Sequence, residues 1–90
     1  MSDPLLPGAE LIEAGLIDLR RGTETDESLL VSIAAHRLRA LGFDVPAPFA
    51  DAELRLYRRL AARHGAGAHA RYNALVRRLV SFQRAAACAR

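Results

Sequence analysis

Apolar residues recur along the chain at spacings of three and four in four stretches separated by glycines and prolines, and nowhere do they alternate with polar residues over the length of a strand. This pattern predicts an all-α chain. The densest stretch is residues 25–41, TDESLLVSIAAHRLRAL. Wound at about 100° per residue, Leu29, Leu30, Val31, Ile33, Ala34, Leu38, Ala40 and Leu41 cover more than half of the circumference, leaving Ser28, Ser32, His36 and Arg39 outside. An arc that wide must be gripped by more than one neighbour, so this helix is expected at the centre of the fold.

Its ends carry their own signals. Thr23 or Thr25 can cap the start, and Asp26 and Glu27 bring negative charge to the unpaired N–H groups of the first turn. At the other end Arg37 and Arg39 occupy the last turn, Gly42 can take the left-handed position, and Phe43 falls where a Schellman ending folds it back on Leu38. Arg37 alone projects into the apolar arc. Its stem is expected to lie along the core with the guanidinium in water or on an acid from another helix.

Three further helices follow from the same periodicity. Residues 9–21 place Leu11, Ile12, Leu16 and Leu19 on one face, with Gly15 where a second helix can approach closely and Ile17 pointing the other way. Gly22 ends this helix. After Gly42, FDVPAPFA holds an extended course through its two prolines, with Phe43, Val45 and Phe49 as anchors, and Ala50 or Asp51 opens a third helix over 51–64. There Leu54, Leu56, Tyr57, Leu60 and Ala61 are expected inward and Arg55, Arg58, Arg59 and Arg63 outward, with Asp51 and Arg55 forming an i,i+4 pair. The sequence HGAGAH breaks the chain before the longest helix, 68–87, whose apolar arc is Tyr72, Leu75, Val76, Leu79, Val80, Phe82 and Ala86. Short turns between four helices imply a single-domain four-helix bundle, antiparallel or partly orthogonal, preceded by a flexible lead over residues 1–7.

Ninety residues, 51% of them hydrophobic and 26% charged, suit one globular domain with a modest core. The distribution of charge says more than the net +3. Residues 1–30 hold seven acids against Arg20 and Arg21, whereas the remainder holds eleven arginines against Asp44, Asp51 and Glu53. Either the acidic part neutralises the basic part within the fold or across a dimer, or the basic part meets a partner. All 13 basic residues are Arg, which points to coding bias as much as to a demand for phosphate binding. No apolar run approaches the length of a membrane span and the N-terminal residues do not resemble a signal peptide, so a cytoplasmic protein is expected. Cys88 is the single cysteine and allows no internal disulfide.

Candidate chemistry is sparse. The arginines 55, 58, 59 and 63 could form an anion- or nucleic-acid-binding face, and Glu10, Glu13, Ile17 and Asp18 on the first helix could form an interaction surface. The histidines lack metal-ligand spacing, no serine or cysteine stands in a nucleophile pattern, and Gly65 and Gly67 lack the strand and lysine of a phosphate loop. No catalytic residue, metal site or cofactor is therefore assigned. Arg59 and His64 resemble the Arg, four to six residues, His motif of HEPN-type ribonucleases, a spacing shared by Arg58 with His64 and by Arg63 with His69, although Leu60 stands where those families place a polar residue. Ser28, followed by two leucines, a helix and LGFDVP, resembles the modified serine of acyl and peptidyl carrier proteins, without the long loop that precedes it there. These resemblances imply, respectively, RNA cleavage and phosphopantetheine attachment. The residues as a whole favour a non-enzymatic helical module that binds a protein partner or self-associates, with nucleic-acid association as the alternative.

Overall fold

The computed structural model describes residues 6–89, and among them every regular element is helical. The elements are α1 (Ala9–Arg20), α2 (Asp26–Ile33), α3 (Ala35–Ala40), α4 (Ala52–His64), a 3₁₀ turn (Gly65–Gly67) and α5 (Ala68–Cys88). The four predicted helical stretches are thus present, with the second divided into α2 and α3. The expected flexible lead at 1–7 lies for the most part outside the described residues. The Cα radius of gyration is 12.6 Å, close to the ~12 Å of a compact chain of this length.

α2 occupies the centre and packs on α1, α4 and α5. Ser28, Leu29, Leu30 and Val31 are completely buried, so the expectation of a helix gripped from several sides holds for this segment. Its closest partner is α1. Gly15 lies so near α2 that a Cβ placed there would sit 2.4 Å from the Glu27 carbonyl oxygen and 2.5 Å from Val31 Cγ2. No side chain fits in that gap, which accounts for a glycine in the middle of a helix.

The expected single helix over 25–41 is interrupted at Ala34, which leaves helical geometry at φ −98°, ψ 9° and shares its N–H between the carbonyls of Leu30 and Val31. No proline or glycine marks the site. The inward row carries on across the interruption: Val31, Ala34, Ala35 and Leu38, at spacings of three, four and seven, are all buried, while Arg37 is exposed.

The same segment corrects the placement of two serines expected outside. Ser28 and Ser32 are 0% and 8% exposed, and both are buried because their hydroxyls hold the backbone. Ser28 Oγ accepts from the Thr25 N–H at 2.8 Å and donates to the Thr23 carbonyl at 2.8 Å. Thr25 caps α2 as expected, accepting from the Ser28 N–H at 3.0 Å and donating its own hydroxyl to Asp18 Oδ2 at 2.8 Å. Ser32 Oγ donates to the Ser28 carbonyl at 2.8 Å and accepts from the Phe49 N–H at 3.1 Å, fixing the proline segment against α2. From the other side Arg39 donates to the Val45 and Pro46 carbonyls. Residues 43–50 are thereby held as a packed connection.

The Schellman ending predicted after residue 41 is formed: the Phe43 N–H bonds the Leu38 carbonyl at 3.0 Å and the Gly42 N–H bonds that of Arg39 at 3.0 Å, with Gly42 at φ +100°. Phe43 then lies 5.6 Å, ring centre to ring centre, from the wholly buried Phe82 of α5.

α4 corrects a further expectation. Its buried stripe is Ala52, Leu56 and Leu60, and the predicted inward residues Leu54 and Tyr57 are 51% and 39% exposed. Ala61 is exposed as well. A helix with an i,i+4 apolar row carries residue 54 about 200° away from residue 52, so Leu54 could face the core only by turning out the row that fills it.

Candidate functional site

Three of the four arginines of α4 converge on one acidic cluster. Arg55 and Arg59 lie beside the buried row, half-buried, and with Arg63 they reach toward the start of α2. Arg55 Nη1 donates to Glu24 Oε1 at 3.2 Å, and the guanidinium also lies 5.9 Å from the centre of the Phe49 ring. Arg59 Nε donates to Asp26 Oδ1 at 3.0 Å, with its Nη1 3.9 Å from Glu24 Oε2. Arg63 Nη2 donates to Asp26 Oδ2. Arg55 therefore pairs with Glu24 rather than with the expected Asp51, which sits before α4 in the left-handed region at φ 53°. Only Arg58 of the four makes no ion pair among the described residues. Of the two explanations for the opposed charges of the chain halves, neutralisation within the fold is the one these contacts support.

Asp26 is the focus of this cluster. Burial works against its ionisation, but hydrogen bonds and charge from Arg63 and Arg59 outweigh it, and the carboxyl is held below its ordinary value. A depressed folded pKa contributes stability that is present above the unfolded value of about 3.9 and is lost as pH falls through the lower folded value. Urea unfolding between pH 6 and the acid limit should therefore show a fall in stability below about pH 4 that is shallower in Asp26→Asn. An unchanged slope in the variant would remove Asp26 from the acid response.

The acidic candidates on α1 divide in the same way. Glu10 accepts from Arg78 Nη2 of α5 at 2.6 Å, and Asp18 receives the Thr25 hydroxyl. Both serve packing between elements. Glu13 and Ile17, by contrast, line a groove of about 440 Å³ between α1 and the turn after α3. Leu16 and Phe43 give it an apolar floor, and Arg20 and Asp44 complete its rim. Ile17 is 45% exposed although it is flanked by the well-buried Leu16. In the sequence the outward Ile17 marks α1's share of this groove, and Phe43 reads only as a packing anchor.

On the outer side of α4, Tyr57 forms tilted ring contacts with Tyr72 at 5.7 Å and His69 at 6.5 Å. Burial, reinforced by the charge of Glu53, pushes the Tyr72 hydroxyl pKa up. With Leu54 one helical turn before Tyr57, this gives α4 an outer apolar strip that was not anticipated.

The two family resemblances rest on residues whose surroundings are now defined. Arg59 is engaged by Asp26 and Glu24, while His64 is exposed at the end of α4. Ser28 is enclosed, with its hydroxyl occupied by backbone partners, whereas attachment of a prosthetic arm requires an accessible hydroxyl. Among the described residues no group of three or more His, Cys, Asp or Glu side chains is placed to hold a metal ion. No described helix is long and apolar enough to cross a membrane. Comparison with protein-family models, curated proteins and solved structures finds no match to this chain.

Proposed function

We propose that this chain is a small cytoplasmic protein-interaction module without enzymatic activity, a four-helix bundle with an interrupted second helix, which receives an apolar side chain of a protein partner in the groove beside Ile17. The supporting observation is the groove itself: a concave apolar floor of Leu16 and Phe43, one half-exposed aliphatic side chain, and a rim of both charge signs. That combination, an apolar centre ringed by polar groups, is the anatomy of a protein-binding patch. A large aliphatic residue left half in water gains roughly 1 kcal/mol when a partner covers it, which is enough to select a partner once neighbouring contacts are added.

A photo-crosslinking residue at position 17 tests this reading. Adducts are expected that an excess of the unlabelled wild-type chain suppresses and an excess of Ile17→Glu does not. Sedimentation of the same proteins at low and high salt separates a second copy of the chain from another protein. Adducts that resist competition, or that form equally from a crosslinker at the exposed position 84, would defeat the proposal.

Nucleic-acid association is the weaker reading, because three of the four candidate arginines already neutralise Glu24 and Asp26. Arg58→Gln removes the charge left over without disturbing those pairs. Oligonucleotide affinity that falls steeply with salt and drops in this variant would reverse the ranking.

A further inference from the structure

A second concavity lies on a different face, between α4 and α5 over the start of α2, with a volume of about 310 Å³. Three guanidinium groups line it, Arg63, Arg71 and Arg78, and His64 stands beside them. Asp26 is the one acid of the lining, and it is shared between Arg63 and Arg59 outside. Glu10 reaches Arg78 with a carboxylate that is itself 73% exposed. Arg71 makes no ion pair among the described residues. Counting the lining alone, three positive charges face one negative, an excess of two before His64 is considered. Leu60 and Leu75 supply a small apolar wall.

We infer that this concavity is a binding site for a small phosphate monoester, with the dianionic phosphate between Arg71, Arg63 and Arg78 and the organic part against Leu60 and Leu75. Guanidinium forks match phosphate oxygens two at a time, and their bonds to an anion are among the strongest a side chain makes. With Glu10 counted against Arg78, one positive charge is left uncompensated, that of Arg71, and the phosphate competes with Asp26 and Glu10 for the other two guanidinium groups. Its size is at the lower end of small-molecule pockets. Asp26 competes with the ligand for Arg63, and this sets a distinctive expectation: removing that carboxylate should strengthen binding, whereas removing Arg71 should weaken it.

The test is a titration of amide NMR signals with glycerol phosphate, inorganic phosphate and sodium chloride, all at one ionic strength. Saturable shifts of residues 60–64 and 71–78 are expected with both phosphates at about 1 mM or below, with none for chloride. Tighter binding of the ester than of inorganic phosphate assigns the apolar wall to the ligand. Equal binding reduces the site to one for phosphate alone and overturns the ester assignment. Arg71→Gln should weaken binding about tenfold or more, and Asp26→Asn should tighten it, with circular dichroism verifying that both remain folded. Phosphate shifts no larger than those of chloride, or an Arg71→Gln variant with unchanged affinity, would overturn the site altogether. Because Ile17 lies on another face, Ile17→Glu should leave phosphate binding intact, so failure of this site and failure of the groove are read separately.

Discussion

Gly15→Ala is expected to destabilise the chain by about 2–3 kcal/mol, lowering the midpoint of thermal unfolding by roughly 10–20 °C. Propensity alone predicts the reverse, because alanine in place of an interior helical glycine stabilises by about 1 kcal/mol. Geometry decides between them. The new Cβ would meet the Glu27 carbonyl oxygen at 2.4 Å and the Glu27 carbonyl carbon at 2.9 Å, and both belong to backbone fixed within α2. Neither can swing aside as the end of a side chain would. Relief requires α1 and α2 to separate by about an ångström, which loosens Ile12, Leu16 and Leu19 against the central segment. The neighbouring Ala14→Gly serves as control, and the propensity difference alone predicts a loss of about 1 kcal/mol there. A Gly15→Ala protein as stable as the wild type or more so would show that the two helices are not in such contact.

What could be read from the residues follows from which forces act locally. The caps and stops were legible because the groups that satisfy a helix end are supplied by residues within a turn of it: Thr25 before α2, Gly22 after α1, Gly42 and Phe43 after α3. Gly15 was legible for a related reason, since a glycine in mid-helix has a cost that a close approach explains. The break at Ala34 was not, because no proline, glycine or capping side chain marks it. The pairing of Arg55, Arg59 and Arg63 was not legible, because their partners are not neighbours on the same helix. Their placement is set by Glu24 and Asp26, some thirty residues away in sequence. Once Arg55 and Arg59 flank the buried row, Leu54 and Tyr57 must take the opposite side. The groove was half legible: Ile17 stands out on its own helix, but its floor needs Phe43, which only the chain reversal at Gly42 brings alongside.

Ser28→Ala carries the second large expectation, a loss of about 2 kcal/mol, and it reverses what the sequence suggested. A serine on the outside of a first turn would cost little to replace, and alanine would gain a few tenths of a kcal/mol through propensity. Ser28 instead forms one half of a reciprocal capping arrangement, accepting from the Thr25 N–H while the Thr25 hydroxyl accepts from its own. The variant removes the hydroxyl that pairs the part-buried Thr25 N–H and the carbonyl of the exposed Thr23; loss of a capping side chain costs about 1 kcal/mol, and a group left unpaired away from water about 1–3 kcal/mol. The effect should reach α1, because the Thr25 hydroxyl also donates to Asp18 and ties the end of one helix to the start of the next. A cycle of Ser28→Ala, Thr25→Ala and the double variant, followed by denaturant unfolding, should give non-additivity of at least about 0.5 kcal/mol. Additive losses would mean that the two side chains act separately. A neutral Ser28→Ala would place the hydroxyl in water, where the backbone contacts that bury it could not exist.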